Sequence, residues 1–182
     1  VIQIVSDLRT FTHPDVDQLK SADVADLVAA SLRFLSSEWK DGKVVIEKDI
    51  PEDQAIFCNP NKLTQVLVNL LQNALDACSA KKYPEGEKPK IEIRGVSHNG
   101  NSILIIRDNG PGIDEGDRDK IFDPFFTTKD VGEGMGLGLS ICYRIVEEID
   151  GRIAVTSEPG SFCEFRLFAK SLCGKSEVLT CT

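Results

Sequence analysis

Apolar residues recur at intervals of three and four in four stretches of the chain, the spacing of helices with one buried face. Pro14 closes the first stretch, because a proline disfavours helix in the residue before it. Asn59-Pro60 supplies an N-cap and a first-turn proline to the third, and Gly151 is a stop signal for the fourth. The predicted helices cover residues 1–11, 24–35, 63–80 and 139–149.

Strand signals fill the intervals between these helices. Asn99-Gly100 favours a tight hairpin turn, and Glu158-Pro159-Gly160 favours a second one. The run Ile103-Leu104-Ile105-Ile106 has no polar alternation and predicts a strand that is buried on both faces. From Ala169 onward little indicates order. The predicted strands cover residues 43–50, 55–58, 90–96, 103–106, 153–157 and 161–168. The order predicts an α+β fold: a two-layer α/β sandwich, with a mixed sheet covered on one face by helices.

Composition narrows the class of protein. The 182 residues carry 21 Lys and Arg against 29 Asp and Glu, a net charge of 21 − 29 = −8, which disfavours nonspecific nucleic-acid binding. No apolar run reaches the roughly 18 residues of a membrane span. The six cysteines lack the spacing of a zinc site and are expected to be reduced and buried. We therefore expect a cytoplasmic domain with no nucleic-acid or direct membrane contact, and leave open whether a longer parent protein is anchored in a membrane.

Three short polar side chains lie together on the predicted helix 63–80. Asn69, Asn73 and Asp76 fall within about 60° of one another on a helical wheel, beside the apolar face. A solvated face is the ordinary explanation, but Asn and Asp are weak helix formers, and such a face usually carries Glu, Lys or Arg. Amide and carboxylate oxygens are ligands that Mg²⁺ prefers. The stripe therefore predicts a cation and phosphate site.

Asp108-Asn109-Gly110-Pro111-Gly112 follows directly on a predicted strand. A simple turn is the alternative interpretation. A carboxylate at the end of a buried strand needs a hydrogen-bond donor, however, and an adenine amino group is one. Glycines at positions 110 and 112 would let the backbone approach a base closely.

A second glycine-rich segment, Gly132–Gly138, opens the last predicted helix. No strand precedes it and no Lys-Ser/Thr pair follows it, so it fits neither a dinucleotide fingerprint nor a P-loop. Exposed N–H groups at a helix N-terminus bind anions, and Lys129 would add positive charge. Phe122, Phe125 and Phe126 could be ordinary core residues, but their clustering on a glycine-rich loop favours packing that lets a lid close.

In this order the segments resemble the ATP-binding catalytic domain of sensor histidine kinases, within the superfamily of gyrase, Hsp90 and MutL. Asn69–Ala74 resembles the N box, Asp108–Gly112 the G1 box, Phe122–Phe126 the F box and Gly134–Ser140 the G2 box. Gly160-Ser161-Phe162 is similar to the final hairpin of the family, whose hydroxyl lies near the adenine. The likeness covers roughly residues 20–169.

The resemblance implies ATP and Mg²⁺ as ligands. Asn69 and Lys129 are the implied catalytic residues, Asn73 and Asn69 the implied metal ligands, and Asp108 the implied acceptor from the adenine amino group. By position, the residues implied to contact the nucleotide are Asn69, Asn73, Asp76, Asp108, Gly110, Gly112, Ile113, Phe122, Lys129, Gly134, Gly136, Leu137, Gly138, Leu139 and Ser161.

The resemblance also implies an organisation and a set of partners. Residues 1–13 would end the second helix of an upstream dimerisation and phosphoacceptor domain, residues 14–169 would form the catalytic domain, and residues 170–182 a poorly ordered tail. The γ-phosphoryl group of ATP would pass to a histidine of the upstream domain, then to the receiver domain of a response regulator. His13 precedes a proline and His98 adjoins a hairpin turn, so the acceptor is expected outside the chain.

Three alternatives remain at this point. A clamp of the gyrase or Hsp90 type hydrolyses ATP with a glutamate at the position of Asn69, and an amide cannot act as general base. An anti-sigma serine kinase has the same ATP site but lacks the helical hairpin suggested by residues 1–11. A regulatory module could bind nucleotide without any transfer.

Overall fold

The computed structural model describes residues 18–36, 43–98, 100–129 and 134–171. The predicted helix 1–11, His13 and residues 172–182 lie outside this part of the chain. Its elements, in order, are β1 Lys20–Asp23, α1 Val24–Phe34, β2 Val45–Asp49, β3 Ala55–Cys58, α2 Pro60–Ala80, β4 Lys90–His98, β5 Asn101–Asp108, α3 Gly138–Glu147, β6 Arg152–Glu158 and β7 Phe162–Lys170.

Five strands form one mixed sheet in the order β2-β4-β5-β7-β6. The β2–β4 pair is parallel, and the other three pairs are antiparallel. The predicted hairpin around Gly100 is present, with His98 opposite Asn101, although Asn99 lies outside the described residues. A separate antiparallel pair joins β3 to β1, a strand that the sequence pattern did not reveal. The predicted α+β class is confirmed.

Helices cover one face of the large sheet. On β4, Ile91 and Ile93 are fully buried, whereas Glu92 and Arg94 point to the open face. The expectation that the run 103–106 is buried on both faces is wrong. Leu104 is buried, but Ile103 and Ile105 are partly exposed, because none of the described helices packs on the second face.

The helix that carries the polar stripe begins where the sequence predicted. Asn59 is its N-cap, and its side-chain oxygen accepts hydrogen bonds from the backbone N–H groups of Asn61 and Lys62 at 3.0 and 3.3 Å. The apolar face of α2 is buried in the core, and its members are Leu63, Val66, Leu67, Leu70, Leu71, Ala74, Leu75 and Cys78. This packing fixes which side chains turn toward the site.

The end of the described chain is more ordered than the sequence indicated. Strand β7 continues to Lys170, Ala169 is buried, and the Ser171 N–H donates to the Gly100 carbonyl at 2.8 Å. The predicted loss of order from Ala169 is therefore wrong for these residues, because pairing with β5 holds them. None of the described helices has the length and hydropathy to cross a membrane.

Four of the six cysteines lie in the described residues, and all four are free and buried, as predicted. Burial raises the pKa of Cys58 to about 11 and that of Cys142 to about 12. These thiols act as small apolar side chains at neutral pH.

Candidate functional site

Helix α2 forms one wall of the candidate site, with Asn69, Asn73 and Asp76 half-buried along it. The Asn69 side-chain N–H donates to the Gly138 carbonyl at 3.4 Å, which joins the polar stripe to the start of α3. Asp76 forms an ion pair with Lys129. Within the described residues the Asn73 side chain has no hydrogen-bond partner. The structure therefore brings together residues that lie 53 and 69 positions apart in the sequence.

Asp108 ends β5 as a buried carboxylate, with 4% of its surface exposed. It accepts a hydrogen bond from the Gly110 N–H at 2.9 Å and lies opposite Cys163 of β7. Burial raises the pKa of Asp108 to about 6, and the backbone N–H groups of Gly110 and Cys163 oppose that rise. The carboxylate is paired by neutral donors and can accept a further one.

The segment after Asp108 fits between α2 and the β6–β7 turn because it is built from glycine. A Cβ added at Gly110 would lie 2.8 Å from the Ala77 Cβ. Gly112 has φ +70, and a Cβ there would lie 2.3 Å from the Glu158 carbonyl oxygen. The Gly160 N–H donates to the Pro111 carbonyl at 2.6 Å, which fastens the segment to the turn.

Ser157 is a site residue that the sequence analysis missed. Its hydroxyl accepts from the Ile113 N–H and donates to the Phe162 carbonyl, both at 2.8 Å. The predicted Ser161 is exposed in the turn, where its N–H donates to the Glu158 carbonyl at 3.0 Å. Ser157 could have been found from alternation, because it follows Ile153 at even spacing on the inward side of β6.

Gly136 links the two parts of the loop between β5 and α3. Its carbonyl accepts from the Phe125 N–H at 2.9 Å, and its φ of +66 suits glycine. A Cβ at this position would lie 2.4 Å from the Phe125 carbonyl carbon. The contact holds the F-box segment against the second glycine-rich segment.

The three phenylalanines of the F-box segment have different surroundings. Phe122 packs against Tyr143, with ring centroids 5.8 Å apart, and against Phe165 in an edge-on arrangement at 6.4 Å. Phe126 also packs on the core. Phe125 does not, since it is 74% exposed and has φ +70. Phe122 and Phe126 therefore fit the ordinary interpretation as core residues, and the role of this segment in a lid stays a prediction.

The N-terminus of α3 faces Asn69 and carries no side-chain cap. Leu137 is its N-cap residue and makes no side-chain hydrogen bond to the first turn. Leu139 is partly buried against the core, which anchors this turn. Gly134 is exposed, and a Cβ there would lie 3.5 Å from the Lys129 side chain. Uncapped N–H groups at a helix N-terminus can bind an anion.

A family model described as "Histidine kinase-, DNA gyrase B-, and HSP90-like ATPase" matches residues 58–171, more than half of the chain. The chain belongs to this ATPase family. The match includes all four motif segments and both glycine-rich segments. The family assignment that the resemblance predicted is therefore confirmed, and with it an ATP-binding domain.

Two curated relatives of this ATPase domain carry names of sensor proteins. The C4-dicarboxylate transport sensor protein DctB of Rhizobium meliloti is 36% identical over 158 residues, which are 86% of this chain and 24% of DctB. The sensor histidine kinase ZraS of Escherichia coli K12 is 32% identical over 170 residues, 91% of this chain and 34% of ZraS. The chain thus spans about a quarter to a third of these proteins.

Solved structures share the fold of this ATPase domain. The catalytic domain of histidine kinase ThkA is 28% identical with a TM-score of 0.72, and the match covers 85% of this chain and 96% of that domain. Full-length ShkA, solved in complex with AMPPNP, is 22% identical with a TM-score of 0.70 over 91% of this chain and 34% of ShkA. The predicted two-layer fold is that of histidine kinase catalytic domains.

Proposed function

We propose that this chain binds Mg-ATP and transfers the γ-phosphoryl group to a histidine on a separate helical domain of the same protein. A receiver domain of a response regulator would then take the phosphoryl group. The observation that carries the proposal is the convergence of four segments along α2. Asn69 lies beside Gly138 at the start of α3, Asn73 follows one turn later, and the next turn carries Asp76, which is paired with Lys129, and Ala77, which lies against the segment after Asp108. Asn69 and Ala77, which contacts Gly110, are about 12 Å apart along the helix.

The adenine would be recognised at the end of β5. A carboxylate buried among neutral backbone donors suits an exocyclic amino group, because a buried acceptor is costly to leave unpaired. Gly110 and Gly112 keep the space next to Asp108 free of side chains. Guanine offers an oxygen where adenine offers this amino group, so the site should prefer ATP over GTP.

The polar stripe fits a magnesium ion. Asn73 has no partner in the described residues, and Asn69 uses its N–H on Gly138, which leaves its amide oxygen available as a ligand. These two residues would hold the ion, with Asp76 beside them. When bound, Mg²⁺ supplies neutralisation of the charge on the phosphates.

Transfer would depend mainly on positioning and charge. Lys129 and the uncapped N–H groups at Leu137 and Gly138 would hold the phosphates. The amide of Asn69 cannot take a proton from water, so no general base is available at the position where ATP-hydrolysing clamps carry one. This feature favours a kinase, in which the partner supplies the nucleophile, over a hydrolytic clamp. The free buried thiols support a reducing, cytoplasmic location.

Two measurements test the proposal. Calorimetry should show Mg²⁺-dependent ATP binding that is lost in Asn73→Ala and retained in Asn101→Ala, an exposed amide at the far end of β5. Addition of γ-labelled ATP and the phosphoacceptor helices of a related sensor histidine kinase should then give acid-labile, base-stable phosphohistidine on those helices. ATP binding that is equal in both variants would refute the metal role, and label on this chain alone would refute transfer to a separate domain.

A further inference from the structure

The loop that joins α2 to β4 forms hydrogen bonds with the segment Asp108–Gly112. The Lys81 ammonium donates to the Asn109 carbonyl at 2.9 Å and to the Gly110 carbonyl at 3.3 Å. The Asn109 side chain reaches back, since its oxygen accepts from the Lys90 N–H at 2.7 Å and its N–H donates to the Lys88 carbonyl at 2.9 Å. The segment Asp108–Gly112 is therefore hydrogen-bonded to both the start and the end of the α2–β4 loop.

The position of the Lys81 ammonium is itself fixed. Lys81 is the C-cap residue of α2, so its backbone is set by a long buried helix. Its ammonium lies 5.4 Å from the centre of the Tyr83 ring, within the range of a cation–π contact. Lys81 is half-buried, whereas the next residue, Lys82, is exposed. Two adjacent lysines therefore have different surroundings.

Lys81 also acts on Asp108 through its charge. The groups that face this carboxylate are Cys78 of α2, Tyr83 of the loop and Cys163 of β7, and burial raises the pKa of each of them, so all three are neutral at pH 7. Burial raises the pKa of Asp108, the backbone N–H groups around it oppose that rise, and the charge of Lys81 adds to their effect. Without it, less of the carboxylate would be ionised near neutral pH.

We propose that Lys81 is a positioning residue of the nucleotide site: it fixes the Asn109 and Gly110 carbonyls and places a positive charge beside the Asp108 carboxylate. The proposal rests on the proposed function, because it concerns recognition of adenine. Lys81 contributes to adenine recognition through its hydrogen bonds to two backbone carbonyls and through its positive charge. Its effect should therefore depend on pH, which a purely structural contact would not require.

The test compares Lys81→Met with the matched control Lys82→Met. ADP affinity is measured by calorimetry without Mg²⁺ from pH 5 to pH 8, which isolates the adenine end. Lys81→Met should bind ADP about five- to tenfold more weakly at pH 7. The decline in its affinity on acidification should begin at a higher pH than in the wild-type chain. Lys82→Met should follow the wild type, and Lys81→Arg should recover most of the affinity.

The titration of Asp108 provides a second readout that needs no nucleotide. Carbon NMR of the nucleotide-free chain should show a higher Asp108 pKa in Lys81→Met and an unchanged one in Lys82→Met. Lys81→Gln, which keeps a donor but no charge, should shift the titration in the same direction. It also serves as the test variant if Lys81→Met does not fold.

An Asp108 titration that is the same in the wild type and the Lys81 variants would overturn the proposal, as would equal pH profiles of ADP affinity for Lys81→Met and Lys82→Met. Failure of the wild-type chain to bind ADP would instead refute the proposed function. In that case the NMR titration still decides whether Lys81 acts on Asp108.

Discussion

The buried carboxylate at the end of β5 should make the domain less stable at neutral pH than in mild acid. Burial raises the pKa of Asp108 from its ordinary value of 3.8 to about 6. Between these values the folded state binds more protons than the unfolded state. The contribution of Asp108 to stability is therefore fully present below about pH 4 and is lost as the pH rises through about 6. Asp108→Asn removes this dependence, because an amide does not ionise.

The size of this stability effect follows from the difference between the two pKa values of Asp108. About 2 pKa units at 1.36 kcal/mol each correspond to about 3 kcal/mol of unfolding free energy at neutral pH. The asparagine oxygen can still accept from the Gly110 N–H, so this hydrogen bond is retained. Asp108→Asn should thus be more stable than the wild type at pH 7.5, while its ADP affinity falls by about 1 to 3 kcal/mol because a donor then faces the adenine amino group.

Urea unfolding of the nucleotide-free chain measures the effect. The stability advantage of Asp108→Asn should shrink by about 2 kcal/mol between pH 7.5 and pH 4.5. Asp119→Asn, at an exposed position, controls for the loss of one negative charge. Parallel stability curves for Asp108→Asn and the wild type across this range would refute the reasoning.

Three further predictions concern the loop, the turn and the thiols. Lys129→Met should weaken ATP binding more than ADP binding in a competition assay, and an equal loss would contradict contact with the terminal phosphate. Gly112→Ala should lower the unfolding free energy by more than about 2 kcal/mol, because of its positive φ and the Glu158 carbonyl 2.3 Å from the added Cβ; an unchanged urea midpoint would count against this. Burial raises the pKa of Cys142 and Cys163 to about 12. After maleimide treatment, peptide mapping should therefore find these two thiols labelled only in the unfolded chain. Rapid labelling of the native chain would contradict their burial.

The sequence predicted the parts of the site that depend on local pattern. Asn59-Pro60 marks the start of α2 by capping chemistry alone, and the stripe of Asn69, Asn73 and Asp76 follows from helical spacing. Asp108 was recognisable because a carboxylate directly after a buried strand needs a donor. These features belong to one element each, and so the chain order alone reveals them.

The features that the sequence did not predict depend on contacts between distant elements. Strand β1 has four residues and exists through its pairing with β3, some 35 positions later. Strand β7 extends to Lys170 because β5 lies alongside it. Lys81 and Ser157 have no motif around them, and their roles arise from carbonyl and N–H groups of other segments. Such roles require the fold and cannot be read from spacing.

The pairing of β5 with β7 has a consequence for how the domain is made. Asp108 lies opposite Cys163, so one wall around this carboxylate is supplied by residues more than fifty positions later in the chain. During synthesis, β7 must leave the ribosome before the surroundings of Asp108 are complete. Shortened chains that stop before β7 should expose apolar strands and bind no nucleotide. Chaperones and proteases in the cell would therefore encounter this domain with an incomplete sheet for most of its translation.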